Sequence, residues 1–162
     1  MSKSLARVTA ALKAVGIDSL PLEMPSQTRT AREAADAAGC ALDQIVKSII
    51  FAGLSGKLYL FLTAGGSMVD GAAASLLAGE PLGRADANTV RAVTGFAIGG
   101  VSPLGHLTPL PLWMDENLLQ FQIVWAAAGT PNHIFAIAPQ DLARITGASL
   151  ARFTSGEWMG PP

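Results

Sequence analysis

Cysteine is nearly missing from this chain: Cys40 is the only one in 162 residues, so no internal disulfide can form, and the count fits a reducing cytosol. Long apolar runs are missing as well. The longest fall far short of the roughly 20 residues that a membrane-spanning helix needs. An excess of either charge is missing too, with eleven basic residues against twelve acidic ones. That balance argues against a protein that grips long stretches of nucleic acid through phosphates, and leaves room for one that holds a single nucleotide end. Repeats, low-complexity blocks and interdomain linkers do not occur. Only 14% of the residues are charged and half are apolar, the balance of one globular domain with a sizeable core.

The order of elements can be read from spacing and caps. Leu5, Val8, Leu12 and Val15 recur at helical spacing until Gly16, so the first segment reads as an amphipathic helix rather than a signal peptide. Asp18 to Met24 suits a short edge strand that tolerates Pro21. Thr30 followed by Glu33 is a capping-box signature ahead of an alanine-rich helix ending at Gly39. IVKSIIFAG and KLYLFLTAG flank Leu54-Ser55-Gly56 as a hairpin. Asp70 and Asp86 are placed to cap two further helices, the second closed by Gly95. PLPLWMD, FQIVWAAAG and HIFAIAP have strand composition, Pro139 suits the first turn of a helix closed by Gly147, and SLARF suits a last strand before a loose tail over 154–162. The expected class is α/β: a single domain, 1–162, with strands enough for one curved sheet.

One stretch does not read as ordinary core. Gly95 to His106, GFAIGGVSPLGH, puts four glycines and a proline into twelve residues. Glycine there implies strained turns or a backbone approaching a ligand, unless the segment is only a connection between helix and strand. The familiar glycine motifs do not fit. Val101 follows Gly100 and His106 follows Gly105, where a phosphate-binding P-loop needs lysine and a hydroxyl residue. Gly100-Val-Ser-Pro-Leu lacks the second glycine of a nucleophile elbow, and GxGxxG does not occur. Lys47 lies inside an apolar strand pattern, on the face of Ile49 and Phe51. It either snorkels at a strand end or meets an anion, and beside the glycine loop it would complete a phosphate or carboxylate site. His106 and His133 each suit a general base, a hydrogen-bond donor or a surface residue. No spacing suggests a metal site, and no cofactor motif is present. Arg29, Arg32, Arg84 and Arg91 offer at most a modest phosphate-facing patch.

Taken together these stretches resemble a known family. Thr30-x-x-Glu-Ala-Ala, Gln44-Ile-Val-Lys-Ser-Ile-Ile-Phe and Thr94-Gly-Phe-Ala-Ile-Gly-Gly-Val-Ser-Pro-Leu-Gly-His are similar to the YbaK/EbsC family, free-standing relatives of the editing domain inserted in bacterial prolyl-tRNA synthetase. The likeness runs from about 23 to 153 and continues through Trp125-Ala-Ala-Ala-Gly-Thr-Pro and Ala138-Pro-Gln-Asp-Leu. It implies a compact α/β domain with a mixed, strongly curved sheet flanked by helices. The activity implied is that of a cytoplasmic hydrolase that cleaves the ester of a wrong amino acid on tRNA, most often tRNA(Pro), with transient association with a synthetase. The family's essential lysine falls on Lys47 and its Gly-x-x-x-Pro loop on Gly99, Gly100, Val101, Ser102 and Pro103. The editing-domain histidine falls at His133; His106 and Thr30 complete the expected substrate contacts. An aminoacyl ester is already activated, so the implied chemistry is positioned water plus loop N–H groups on the carbonyl oxygen, with neither metal nor cofactor. Glycine would be needed at position 100 because a Cβ there would block the ester. Two other readings stay open: a binding module that captures an aminoacyl or nucleotide group without turnover, and a hydrolase of another small ester using His106 or His133 as base.

Overall fold

The computed structural model describes residues 2–25 and 30–155. Helix α1, Lys3–Ala14, starts at Ser2, whose hydroxyl accepts from the Leu5 N–H, and buries Val8 and Leu12. Strand β1, Leu22–Glu23, is a two-residue edge. Thr30 accepts from the Glu33 N–H to open α2, Ala31–Ala38, and Gly39 ends it in the left-handed conformation. A 3-10 turn, Leu42–Gln44, leads into β2, Ile45–Gly53, which turns back as β3, Leu58–Ala64. Then come β4, Met68–Val69; α3, Gly71–Ala78, capped by Asp70; β5, Leu82–Arg84; and α4, Ala87–Thr94, capped by Asp86. After the glycine loop follow β6, Leu112–Asp115; β7, Val124–Ala127; β8, His133–Ile137; α5, Pro139–Thr146; β9, Ser149–Ala151; and β10, Thr154–Ser155. Each side chain chosen as a helix cap does that job, because a short polar oxygen at this position satisfies N–H groups that the helix itself leaves open.

The strands make one large mixed sheet in the order β1-β8-β7-β2-β3-β6-β9, with β5 also pairing β2. The β2–β3 hairpin is antiparallel, whereas β7 beside β2 and β6 beside β3 are parallel. β3 is buried along its whole length, as a central strand with both faces covered must be. Leu58, Leu60, Leu62 and Ala64 pack into the main core with Val8 and Leu12 of α1, Val90 of α4 and Leu142 of α5. Tyr59 and Phe61 face the other way, into a smaller cluster with Ala74 of α3 and Phe153. Phe61 stacks on Trp113 at 5.0 Å and meets Phe153 edge-on at 5.0 Å.

Two expectations need correction. β4, β5 and β10 have no counterpart in the sequence reading, because two- or three-residue strands carry too little pattern to be distinguished from turns. The segment from 154 is also not loose at its start. Thr154 and Ser155 pair with Val69 and Met68, and the Phe153 carbonyl accepts from the Asp70 N–H. Arg29 and the stretch with Trp158 lie outside the described residues. Among the described residues, no helix is long and apolar enough to cross a membrane.

Candidate active site

The site begins as a gap in the sheet. On the edge of β2 away from β3, β7 pairs only with Ile45 and Val46, and β5 only with Phe51 to Gly53. Between them Lys47 to Ile50 have no strand neighbour. There β7 ends at Ala127, and a cavity of about 420 Å³ opens, within the range of small-ligand sites. Lys47, Ser48 and Ile49 line one wall, the start of α2 with Thr30 a second, Ile98, Gly99 and Val101 a third, and Thr130, Pro131 and His133 a fourth.

The glycine loop reaches this cavity through a tight turn. The Gly100 N–H donates to the Ala97 carbonyl at 3.0 Å, and Gly99 stands at φ +93. Among the described residues none other than glycine has positive φ, so Ile98 is in the ordinary region and the turn is type II, which requires glycine at its third position. The N–H groups of Gly99 and Val101 have no acceptor among the described residues, although Val101 is only 4% exposed. Buried amides are nearly always paired, so this one calls for a ligand or a water.

Lys47 lies opposite. Its ammonium donates to the Ser67 carbonyl at 2.5 Å, in the turn that follows β3. That turn is built tightly: a Cβ on Gly65 would collide with the Leu42 carbonyl, and one on Gly66 would lie 2.6 Å from Oδ1 of Asp43, which accepts from the Gly66 N–H. Burial lowers the Lys47 pKa from the usual lysine range, and the carboxylates of Asp43 and Asp115 pull it part of the way back. Asp115 is itself buried, accepting from the N–H groups of Ala64 and Asn117. Burial raises its pKa, and those two N–H groups oppose the rise. Lys47 therefore keeps one hydrogen bond to the protein and has two further donors for whatever enters.

Four more polar residues line the cavity. His133 Nδ1 and the Thr130 hydroxyl are 2.6 Å apart, and that hydroxyl also accepts from the Asn132 N–H. The contact fixes the ring and leaves Nε2 for a ligand. Thr30 faces the cavity as well, but its hydroxyl is already engaged with the N–H and carboxylate of Glu33. Ser48 was not singled out from the sequence. Its Oγ is buried with no partner among the described residues. A serine in a strand pattern gives no such signal.

Other expected site residues are not on the cavity wall. Ser102 and Pro103 are buried behind it; the Ser102 hydroxyl accepts from the Leu104 N–H at 3.3 Å. His106 also lies behind the loop, with Nε2 2.6 Å from the Ser102 carbonyl. A carbonyl only accepts, so Nε2 carries the proton. Burial lowers the His106 pKa, the hydrogen bond to Ser102 opposes this, and the charge of Arg7 adds to the lowering. A neutral ring bracing the loop is thus the role seen, not a substrate contact. Gly100 needs correction too. A Cβ there would lie 2.9 Å from Thr130 Cα and C, so glycine is required by the backbone of the neighbouring turn and not by space for a ligand. Arg32, Arg84 and Arg91 are exposed and none lines the cavity. Among the described residues, no three His, Cys, Asp or Glu side chains converge as metal ligands would.

Comparison with known proteins gives this cavity a context. Residues 25–145 match the model of the aminoacyl-tRNA editing domain. A solved structure of a candidate trans-editing enzyme for prolyl-tRNA synthetase superposes with a TM-score of 0.91 at 47% identity, covering 96% of this chain and 99% of that one. YwhH of Bacillus subtilis is 29% identical over 124 residues, 76% of this chain and 79% of YwhH. A candidate Cys-tRNA(Pro)/Cys-tRNA(Cys) deacylase, EbsC of Enterococcus faecalis, is 28% identical over 68 residues, 42% of each chain. With most of its length covered by that domain and an opening that joins the strand lysine to the glycine loop, the chain belongs to the aminoacyl-tRNA editing family, among its YbaK/EbsC-like members.

Proposed function

We propose that the protein hydrolyses the ester of mischarged aminoacyl-tRNA, acting in trans in the cytoplasm, with tRNA(Pro) as the carrier. The observation that carries this reading is the single opening that faces Lys47 on one side and the unpaired amides of Gly99 and Val101 on the other. The lysine donors hold a terminal phosphate or ribose hydroxyl, and the first turn of α2, whose N–H groups favour an anion, borders the same space. The ester carbonyl then lies against the loop. As water adds, negative charge develops on that oxygen, and amides already held by the turn receive it without reorganising. Gly100 is not among these donors, since its N–H is held by Ala97. The substrate's own hydroxyls or main-chain carbonyls orient the water, and the amino acid leaves as the carboxylate while the ribose oxygen takes the proton. Contact with the acceptor end alone agrees with the near-neutral net charge and predicts a shallow salt dependence. Transient association with prolyl-tRNA synthetase follows from the same reading.

The test is release of amino acid from a panel of mischarged tRNAs, including tRNA(Pro) carrying alanine, cysteine, serine or threonine. Release of one or two of them supports the reading. Binding of the aminoacyl end with no release from any tRNA contradicts it and favours the capture module. A hydrolase with a protein base is kept as a second reading because His133 lines the cavity with Nε2 unpartnered. Loss of a pH-dependent rate limb near neutrality in His133→Ala favours it over orientation by substrate groups.

A further inference from the structure

Two of the glycines around the site, Gly95 and Gly129, are explained by contact with α1. Gly95 and Gly105 sit at the two ends of the loop with φ of +81 and +82. A Cβ on Gly95 would collide with the Arg7 guanidinium, and one on Gly105 would lie 3.8 Å from Arg7 Cγ. The guanidinium fills the space left at Gly95, whereas the contact at Gly105 is an ordinary one. Nη2 donates to the Gly95 carbonyl at 2.8 Å, Nε donates to the Gly105 carbonyl at 2.9 Å, and Cζ lies 4.5 Å above the Phe96 ring. The first turn of α1 also meets the facing wall: a Cβ on Gly129, φ +97, would lie 2.7 Å from the Ser4 carbonyl. One helix thereby braces both the loop with Gly99 and Val101 and the turn with Thr130 and Pro131. It lies N-terminal to the residues that match the editing domain.

We propose that Arg7 is a positioning residue: its planar fork clasps both ends of the glycine loop and holds the turn at Gly99 in the geometry that presents the loop amides to the cavity. The role depends on shape as much as on charge. Two carbonyls from chain positions ten residues apart are joined by one rigid group, which a lysine ammonium on a flexible stem cannot reproduce. The guanidinium touches no cavity wall, so it acts through the loop and not on the substrate.

The kinetic part of the test rests on the deacylase reading above; the exchange part does not. Arg7→Met keeps an unbranched apolar stem and removes both donors. Amide hydrogen exchange is followed at Phe96, Gly100 and Leu107, whose N–H groups are bonded within the loop, and at Leu60, bonded to Pro111 in the sheet. Arg7→Met is expected to speed exchange at the three loop amides by about tenfold or more and leave Leu60 unchanged. It should lower kcat about tenfold to a hundredfold with KM within about twofold, a loss in the range that small displacements of positioned groups produce. Arg7→Lys should recover only part of either loss. Wild-type exchange in the loop of Arg7→Met overturns the clamp, as does faster exchange that extends equally to Leu60, which would make Arg7 a residue of the fold as a whole. Loop-confined exchange with an unchanged kcat overturns the catalytic part. If the wild-type protein releases no amino acid from any tRNA, the deacylase reading fails, and the exchange result still decides whether the clasp exists.

Discussion

Two glycine turns serve the cavity, one by lining it and the other by holding Lys47, and they use glycine for opposite ends. The turn after β3, Ala64 to Ser67, is packed shut, with Gly65 against the Leu42 carbonyl and Gly66 against Asp43. Its outward product is one carbonyl, that of Ser67, which holds the Lys47 ammonium. The turn at Ala97 to Gly100 has its glycine tip in open space, and the amides of Gly99 and Val101 remain unpaired. The first turn fixes a cation, and the second keeps donors available. A glycine-rich stretch is therefore not in itself a sign of function. What separates the two turns is whether the space beside the glycine at the tip is filled by the protein, as at Gly65 and Gly66, or left open, as at Gly99.

The largest effect that follows is on Lys47. Lys47→Ala should lower single-turnover deacylation by roughly 10²–10³-fold, the scale of losing a main electrostatic contact, with far-UV circular dichroism and Tm near wild type. Intact activity in that variant would remove the first turn from the chemistry. Stability measurements sharpen the same contrast. Gly65→Ala should lose about 3 kcal/mol in urea unfolding, because its neighbour is backbone that cannot move aside cheaply, and Gly100→Ala nearly as much. Gly99→Ala meets nothing within 4 Å and should lose only about 1 kcal/mol from its left-handed backbone. An equal loss at 65 and 99 would erase the distinction between a packed and an open turn.

Smaller effects belong to the groups around the loop. Thr130→Val takes the hydroxyl from His133 Nδ1 and from the Asn132 N–H, and should lower kcat by about threefold to tenfold, as a net hydrogen bond of about 1 kcal/mol suggests. In a double-mutant cycle with His133→Ala the two losses should not add, since each removes the same fixed ring. The smallest expected effect is the pH dependence of His106. Its folded pKa lies below the unfolded value near 6.5, so the unfolded chain binds more protons between the two. The stability that the neutral ring contributes is present above pH about 6.5 and is lost as pH falls from there through the folded pKa. Wild type should therefore lose more Tm between pH 7.5 and 5.5 than His106→Asn does.

Much of the fold was legible because it rests on local chemistry. Thr30, Asp70 and Asp86 announce helix starts, Pro139 begins another, and Gly39, Gly79, Gly95 and Gly147 all end helices in the left-handed conformation. The long β2–β3 hairpin shows in its branched and aromatic runs. β4, β5 and β10 escaped because they are strands only by virtue of the partner beside them. The site was legible in part for the same reason. Lys47 stands out against an apolar strand and the glycine run stands out by composition, and the structure brings both to one cavity with Thr30 and His133. Ser102, Pro103 and His106 share that composition, but whether a residue faces a cavity or the core behind it is decided by packing. The use of Gly95 was hidden further still, since the side chain it admits, Arg7, lies 88 residues away in sequence.

The most direct measurement is an NMR titration of the wild-type protein with a stable amide analogue of an aminoacylated terminal adenosine, following backbone amides and the lysine ammonium groups. The account predicts that the amides of Gly99 and Val101 and the ammonium of Lys47 shift together and saturably, while Gly100, held by Ala97, moves less. Shifts confined to other surfaces, or saturable binding that leaves Gly99, Val101 and Lys47 unmoved, would contradict it.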